Sequence, residues 1–380
     1  MNRPAESALA PAASRRPRSA VLATALALFT ALVALAPVAA QAAHESTQAA
    51  LSAWQAHTGG PGAAIVAGDQ TSQWTLHSGV RNIYETAPIG PEDHFRIGSE
   101  TKTYTATVVL QLVDEGLVEL DAPVEKYLPG LLTPPYDGNV ITVRELLQHR
   151  SGIPDYIENP PPPQLDGTYR MADLVAAALA QPPVFAPGTS IKYSNTNYII
   201  LGMLIERVTG QTVGAAITER IITPLGLTGT RYPAPGDHSI GAPAVHGYIV
   251  AGIPPVTGWV DISNLFEPSY GASAGAMIST LDDSVTFFRA LFGGQLISAA
   301  SLNQMRTPYA GIKDGYGLGI FRTNLSCGPA WGHNGASPGY WDETLVGDNG
   351  RYASIVTNHV NSDASEPSSQ TVLDKAICDG

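Results

Sequence analysis

The order of strand-like and helix-like segments constrains the fold of this chain more than any other feature of its sequence. A helical pattern at residues 44–58 is followed by two short strand patterns, 62–68 and 73–79. Further strand patterns lie near the other end of the chain, at residues 316–324, 330–334, 340–346 and 352–358, before a last predicted helix at 367–376. Antiparallel strands from both ends can complete one sheet. We therefore predict an α+β fold, in which an antiparallel sheet is flanked by N- and C-terminal helices.

The long segment between these strands predicts a second lobe. Pro and Gly residues break it into short helical stretches, of which the clearest runs from Asn195 to Gly210. We assign residues 43–116 and 269–380 to the two parts of an α/β lobe, and residues 117–268 to an inserted, mostly helical lobe.

The first 42 residues have the composition of an export signal. Arg15, Arg16 and Arg18 precede an apolar run at residues 20–38, and small residues follow it. The run approaches the length of a membrane span, so a membrane anchor is the alternative. The Ala-x-Ala pattern and the lack of a basic flank favour a signal peptide at residues 1–42. We expect a secreted, extracellular protein with no membrane span after cleavage.

Composition and charge exclude several partners. The 380 residues are 44% hydrophobic and 14% charged, enough for a large core. The net charge of −12 without a basic stripe argues against nucleic acid and anionic membranes as partners. Metal-ligand spacings and phosphate-binding glycine loops are missing from the sequence, so we expect no metal and no cofactor. We also expect a monomer.

Export makes the two cysteines, Cys327 and Cys378, candidates for one disulfide. Two free thiols are the alternative. A bridge would clamp the last helix to the sheet.

Three short motifs carry the chemistry: Ser99-Glu-Thr-Lys102, Tyr193-Ser-Asn195 and His333-Asn-Gly335. Ser99 and Lys102 are three residues apart and would lie on one face of a helix that begins at Ser99. A buried lysine there could lose its proton near neutral pH and activate the hydroxyl. The alternative is a capping serine and a surface lysine at this spacing by accident.

The other two motifs have structural alternatives of their own. The Tyr193 phenol could relay a proton and the Asn195 amide could bind a substrate amide, although Ser194 or Asn195 could equally cap the following helix. His333 could join the proton network of the phenol or anchor an anionic substrate, or be a structural histidine. Gly335 would let a substrate backbone approach closely.

The three motifs in this order, and other segments along nearly the whole mature chain, resemble the secreted actinomycete DD-carboxypeptidases and transpeptidases of the serine β-lactamase and penicillin-binding-protein superfamily. The similar segments include Phe95-Arg-Ile-Gly-Ser99, Leu110-Gln-Leu-Val-Asp-Glu-Gly116, Thr142-Val-Arg144, His149-Arg-Ser-Gly152, Tyr193-Ser-Asn-Thr-Asn197, Ser273-Ala-Gly275 and Gly315-Tyr-Gly-Leu-Gly319.

The resemblance implies roles for individual residues. Ser99 would be the acylated nucleophile, and Lys102 and Tyr193 would handle its proton. Asn195 would bind the substrate amide, and His333 stands where β-lactamases carry lysine. The N–H groups of Ser99 and Ala336 would form the oxyanion hole. The substrates implied are peptidoglycan stem peptides containing a D-amino acid, with β-lactams as covalent ligands.

The chain departs from these carboxypeptidases where they bind the terminal carboxylate. Phe321 stands where they place an arginine, and the neighbouring Arg322 is expected to point to the opposite face of its strand. Asn334 and Ala336 replace threonines that line the carboxylate site. We therefore expect acyl-serine chemistry but leave the carboxypeptidase specificity open. Tyr270 is a further candidate for substrate binding.

Three other functions are alternatives to a DD-carboxypeptidase or transpeptidase. The same Ser-Lys-Tyr machinery would serve an esterase or a D-aminopeptidase-type amidase. A penicillin-binding sensor would bind without turnover. The segment Gly271-Ala-Ser273-Ala-Gly275 matches the nucleophile elbow of α/β-hydrolases, but the residues before it do not form a buried strand pattern.

Overall fold

The computed structural model describes residues 44–253, 256–309, 315–360 and 368–379. The predicted signal peptide, residues 1–42, lies outside the described residues. The described residues from Ser46 onward pack as one unit. No helix among the described residues is both long enough and apolar enough to cross a lipid bilayer.

The described helices are α1 Glu45–Thr58, α2 Thr101–Asp114, α3 Val143–Leu147, α4 Met171–Leu179, α5 Asn195–Thr209, α6 Val213–Ile217, α7 Thr223–Leu225, α8 Pro268–Gly275, α9 Leu281–Phe292, α10 Ala299–Met305 and α11 Ser369–Cys378. Short 3₁₀ turns cover Gly98–Glu100, Val124–Lys126 and Tyr156–Glu158, and a π-helical turn covers Thr218–Ile222.

The described strands are β1 Gly62–Gly68, β2 Gln73–Gly79, β3 Phe95–Arg96, β4 Tyr248–Ile253, β5 Val256–Asp261, β6 Ile278–Ser279, β7 Phe321–Leu325, β8 Gly328–Ser337, β9 Tyr340–Gly347 and β10 Tyr352–Thr357.

One six-stranded antiparallel sheet joins the two ends of the chain, as predicted. Its strand order is β2-β1-β10-β9-β8-β7. The two ends meet where β1 pairs with β10, with Ala63 opposite Thr357. Helices α1 and α11 cover the outer face through a core cluster that includes Leu51, Ile65 and Leu373. The α+β class and the flanking helices are therefore confirmed.

Helix α2 lies in the main core, on the inner face of the sheet. The sequence predicts one apolar side for this helix, but every residue from Thr101 to Leu110 is buried. Its threonine hydroxyls donate to carbonyl groups of neighbouring segments, for example Thr103 to Gly319 and Thr105 to Ser273, each at 2.8 Å. Such bonds satisfy polar groups that burial would otherwise destabilise. The threonines thus fix the helix that begins beside Ser99.

The inserted segment is less helical than predicted. Strands β4 and β5 pair as an antiparallel hairpin within it, and on either side of it β3 pairs with β6. Strand β7 begins at Phe321, five residues later than the pattern suggested, because Tyr316 makes only an isolated bridge to Phe321. Elements of two residues are too short to produce a readable periodicity.

Cys327 and Cys378 form a disulfide, as the sequence predicts. Their α-carbons are 5.4 Å apart, within the normal range for this bond. Cys327 lies between β7 and β8, so the bond ties α11 to the edge of the sheet.

Candidate active site

Ser99 lies in a tight turn at the start of α2. The turn Gly98–Glu100 leads directly into the helix, so the Ser99 N–H lies at the positive end of the helix dipole. Gly98 has a φ of +44°, a conformation that glycine adopts without strain. Ser99 is partly exposed, whereas Gly98 and Glu100 are buried. The hydroxyl is therefore accessible on a rigid support.

Lys102 is fully buried and points at Ser99. Its Nζ lies 3.0 Å from the Ser99 Oγ, 2.7 Å from the Asn195 Oδ1 and 2.8 Å from the carbonyl oxygen of Ala274. Burial lowers the pKa of Lys102 to about 7, and the Asp155 carboxylate acts weakly in the opposite direction. Near neutral pH a large fraction of this amine is a free base that can accept the Ser99 proton.

The Asn195 side chain is held by Asp155, a residue that the sequence analysis did not select. The Asp155 Oδ2 accepts hydrogen bonds from the Asn195 Nδ2 at 2.7 Å and from its backbone N–H at 3.1 Å. Because the amide nitrogen points to Asp155, the amide oxygen must point to Lys102. Asp155 therefore fixes the orientation of the amide.

Tyr193 approaches the same hydroxyl from the other side. Its phenol hydrogen-bonds Ser99, and its ring centroid lies 4.8 Å from the Lys102 Nζ. The residue is 41% exposed, yet desolvation of its hydroxyl raises the pKa of Tyr193 above the ordinary value. The buried ring of His149 packs on Tyr193 with centroids 4.2 Å apart. The phenol is thus held protonated beside Ser99.

His333 is buried and hydrogen-bonds Tyr316 rather than Tyr193. Its Nε2 lies 2.9 Å from the Tyr316 hydroxyl, and its Nδ1 lies 2.6 Å from the Asn334 carbonyl oxygen. Burial, with a smaller contribution from Lys102, lowers the pKa of His333 to about 3. The imidazole is therefore neutral at physiological pH. The possibility that His333 anchors an anionic substrate stays a prediction, and a neutral imidazole would do so by a hydrogen bond.

Strand β8 passes beside the Ser99 turn. A β-carbon on Gly98 would lie 2.8 Å from the Ala336 nitrogen and 2.6 Å from its carbonyl oxygen, so the two backbones touch. Asn334 and Ala336 are exposed. The role predicted for Gly335 needs correction, because a β-carbon there would lie 2.1 Å from the Ile97 carbonyl oxygen. Gly335 admits the preceding turn of the protein itself.

The two residues at the start of β7, Phe321 and Arg322, lie on opposite faces of the sheet. Phe321 borders the site, with its ring 5.5 Å from the His333 ring. Arg322 stands opposite Trp331 in the strand register. Residues two apart share a face of a strand, so Arg322 lies on the same face of the sheet as His333. Phe321 stands opposite Gly332 and so lies on the other face, as expected from the alternation of side chains, and a role of either residue in binding substrate stays a prediction.

Tyr270 lines an aromatic cavity next to the site. This cavity has a volume of about 350 Å³, and its walls include Tyr169, Phe266, Tyr270 and Pro338. The Tyr270 ring contacts Tyr169 with centroids 5.0 Å apart. Tyr270 lies four residues before Ala274, and Pro338 lies two residues after Ala336. The cavity is therefore bounded by the same two segments that bound the Ser99 site.

Ser273 is a structural residue. Its side chain is fully buried and its Oγ donates to the Tyr198 carbonyl oxygen at 2.8 Å. The element before it is helix α8, with a kink at Ala272 (φ 37°), and not a strand. The α/β-hydrolase alternative is therefore wrong.

The structure thus brings Ser99, Lys102, Tyr193 and Asn195 together. Ala336 lies beside the Ser99 turn. His333 lies farther from Ser99 and is hydrogen-bonded to Tyr316. Asp155, His149 and Tyr316 also contribute to the site, although none of the three motifs contains them. His149 and Tyr316 lie in segments that carry the family resemblance, and this was the only signal. No cluster of three or more His, Cys, Asp or Glu side chains suited to a metal ion occurs in the described parts of the chain.

The chain belongs to the Beta-lactamase family, whose model matches residues 40–376. Penicillin-binding protein 4 of Amycolatopsis lactamdurans is 31% identical over 315 residues, which cover 78% of this chain and 81% of that protein. The recognised class is that of the penicillin-binding and β-lactamase-fold serine hydrolases.

Two solved structures are also similar. A D-stereospecific amidohydrolase from Streptomyces sp. has a TM-score of 0.78 and 38% identity, covering 88% of this chain and 98% of its own. The D-amino acid amidase from Ochrobactrum anthropi SV3, complexed with D-phenylalanine, has a TM-score of 0.76 and 26% identity, covering 88% and 97% respectively.

Proposed function

We propose that this chain is a secreted hydrolase that forms an acyl-enzyme on Ser99 and cleaves amide bonds after D-amino acid residues. The observation that carries the proposal is the 3.0 Å contact between the Ser99 hydroxyl and the buried amine of Lys102. A hydroxyl is a weak nucleophile unless an adjacent base removes its proton, and an amine with a pKa of about 7 is suited to that task.

The acylation step follows from the positions of the groups. The neutral Lys102 amine takes the Ser99 proton as the Oγ attacks the substrate carbonyl carbon. The resulting oxyanion receives hydrogen bonds from the N–H groups of Ser99 and Ala336. The leaving amine then takes a proton relayed from Lys102 through Tyr193, and the C–N bond breaks. Water attacks the ester in the second half-reaction, releasing the acid and restoring the serine.

The preference for D-amino acids rests on similarity and on the aromatic cavity. Two of the similar solved structures are a D-stereospecific amidohydrolase and a D-amino acid amidase. The cavity beside Tyr270 is walled by aromatic and apolar side chains, which suits an apolar substrate side chain. We infer that amides and peptides of D-phenylalanine-like residues are substrates and that β-lactams acylate the same serine.

A second candidate is a DD-carboxypeptidase. The Arg322 side chain favours it, because its face of the sheet is the one that carries His333 and a guanidinium can bind a carboxylate with two hydrogen bonds. The two candidates differ in the leaving group. A carboxypeptidase prefers a free C-terminal carboxylate, whereas an amidase accepts the amide.

The function is tested with matched substrates. D-phenylalanine amide should be hydrolysed with a kcat/KM at least about tenfold above that of the L-enantiomer. Ser99→Ala should abolish this turnover together with covalent labelling by a fluorescent penicillin. Equal rates for both enantiomers would refute the stereochemical proposal. Labelling followed only by slow release, without turnover of amide or ester, would instead identify a penicillin-binding sensor.

A further inference from the structure

Two buried carboxyl groups lie behind the Ser99 turn and a third lies on the outer face of the sheet, and the proposed reaction uses none of them. Glu100 directly follows Ser99, while Asp342 and Glu343 lie on β9. Glu100 and Asp342 are each 1% exposed and Glu343 is 2% exposed. Among the described residues, no cation forms an ion pair with any of the three. Buried carboxylates without cations are unfavourable, so such groups keep their protons or share them.

Glu100 and Asp342 face each other where the Ser99 turn meets β9. The two side chains interact closely enough to affect each other's titration, and none of their four carboxyl oxygens has a hydrogen-bond partner of normal geometry among the described residues. Thr344 also lies beside Glu100 and acts on it through its side chain and its backbone N–H. Two carboxylates in contact cannot both ionise, because their charges repel at close range. The pair therefore needs at least one proton to persist.

The Glu100–Asp342 pair lies between the two backbone segments of the proposed oxyanion hole. Glu100 belongs to the Ser99 turn. Asp342 is opposite Gly335 in the strand register, and a β-carbon on Gly335 would lie 2.7 Å from both Asp342 carboxyl oxygens. The residue after Gly335 on β8 is Ala336. The pair thus connects the turn that presents one N–H to the strands that present the other.

We propose that Glu100 and Asp342 are positioning residues whose shared proton holds the N–H groups of Ser99 and Ala336 at the spacing that acylation requires. This inference rests on the proposed role of Ser99. Neither residue touches the substrate. When the proton is lost at alkaline pH, the two carboxylates repel, and their negative charge opposes the oxyanion next to them. Acylation then slows.

The titratable groups around the pair are consistent with this pH dependence. Burial raises the pKa of Glu100 to about 8 and that of Asp342 well above its ordinary value. Glu343 on β9 adds negative charge beside the pair. Burial raises the pKa of Tyr104, one turn along α2, and Glu100 and Asp283 of α9 raise it further. Burial thus makes the folded chain hold the Glu100 proton up to a higher pH than the unfolded chain, with a pKa raised from 4.5 to about 8. The stability contributed by this group therefore falls as pH rises between these values.

The test compares Glu100→Gln and Asp342→Asn with Glu343→Gln as a matched control. Glu343 is equally buried, and burial raises its pKa to about 7, but it accepts from the Ser369 hydroxyl on the outer face of the sheet. The readout is the second-order rate of labelling by a fluorescent penicillin between pH 6 and pH 10. In the wild type this rate should fall about tenfold for each pH unit above 8. In Glu100→Gln and in Asp342→Asn the labelling rate should no longer fall above pH 8. In Glu343→Gln the fall should remain.

The proposal would be overturned if the labelling rate still fell above pH 8 in both Glu100→Gln and Asp342→Asn. It would also be overturned if Glu343→Gln removed the fall equally well. A second measurement does not depend on activity: the infrared band of a protonated carboxylic acid at pH 7 should weaken in Glu100→Gln. Labelling absent from every form would refute the proposed role of Ser99 and the positioning role with it. A persisting band would then still identify the shared proton, so the two failures are distinguishable.

Discussion

Replacing Gly98 with alanine tests the contact between the Ser99 turn and strand β8. The added β-carbon would lie 2.6 Å from the Ala336 carbonyl oxygen and 2.8 Å from its carbon and nitrogen. Ordinary contacts of a β-carbon begin at 3.4 Å, so the turn must move by about 0.8 Å. Strand β8 cannot easily retreat, because β9 pairs with its other edge.

This displacement sets the expected effect. A misplacement of about 1 Å in a catalytic group costs on the order of 10²-fold in rate, so we expect acylation by a fluorescent penicillin to slow about 30- to 100-fold. The positive φ of residue 98 adds strain of about 1–2 kcal/mol for any residue with a β-carbon. The thermal midpoint should therefore fall as well.

Gly116→Ala separates the two effects. Gly116 also has a positive φ, of +72°, but a β-carbon there would meet nothing within 4 Å. This control should lose a similar amount of stability and acylate at the wild-type rate. If Gly98→Ala acylates within about threefold of Gly116→Ala, then the turn and the strand are not coupled as described and the oxyanion hole is elsewhere.

Three further predictions concern the surroundings of the site. Asp155→Asn removes the charge that raises the pKa of Lys102, so the acid limb of kcat/KM, near pH 7 in the wild type, should move to lower pH and the rate should fall about 10- to 100-fold; an unmoved limb would contradict the assignment of Lys102 as base. Arg322→Leu should change the ratio of kcat/KM for free and C-terminally amidated D-Ala-D-Ala peptides by less than about threefold, whereas a loss of more than about 30-fold for the free acid would favour the carboxypeptidase. Replacing Cys327 and Cys378 with serine opens a bond that spans 51 residues of sequence and should cost about 4 kcal/mol, seen as a lower thermal midpoint; an unchanged midpoint would refute this.

The regular parts of the fold could be predicted because their signals are local. Strands β1 and β2 have the predicted bounds, since glycines and polar turn residues mark both ends of each pattern. Helix α5 ends where Gly210 adopts a left-handed conformation. The glycine itself is the sequence feature that predicts this helix end. The hairpin of β4 and β5 was missed because its apolar residues were read as part of a helical segment.

The candidate site divides in the same way. Ser99 and Lys102 could be paired because three residues of helix bring them together. Asp155 could not be found, since it acts on Asn195 from a loop 40 residues earlier in the sequence and its own neighbours give no spacing to read. The neutral state of His333 follows from burial, which only the assembled core determines. Long-range contacts and desolvation are thus what the sequence alone left open.

The most direct measurement is the site of covalent attachment of a penicillin. The protein is incubated with benzylpenicillin, digested, and analysed by mass spectrometry. We predict a single penicilloyl adduct on the peptide that contains Ser99, and no adduct on the Ser99→Ala variant. An adduct on another residue, or turnover of D-phenylalanine amide by Ser99→Ala at the wild-type rate, would contradict the assignment of Ser99 as the nucleophile.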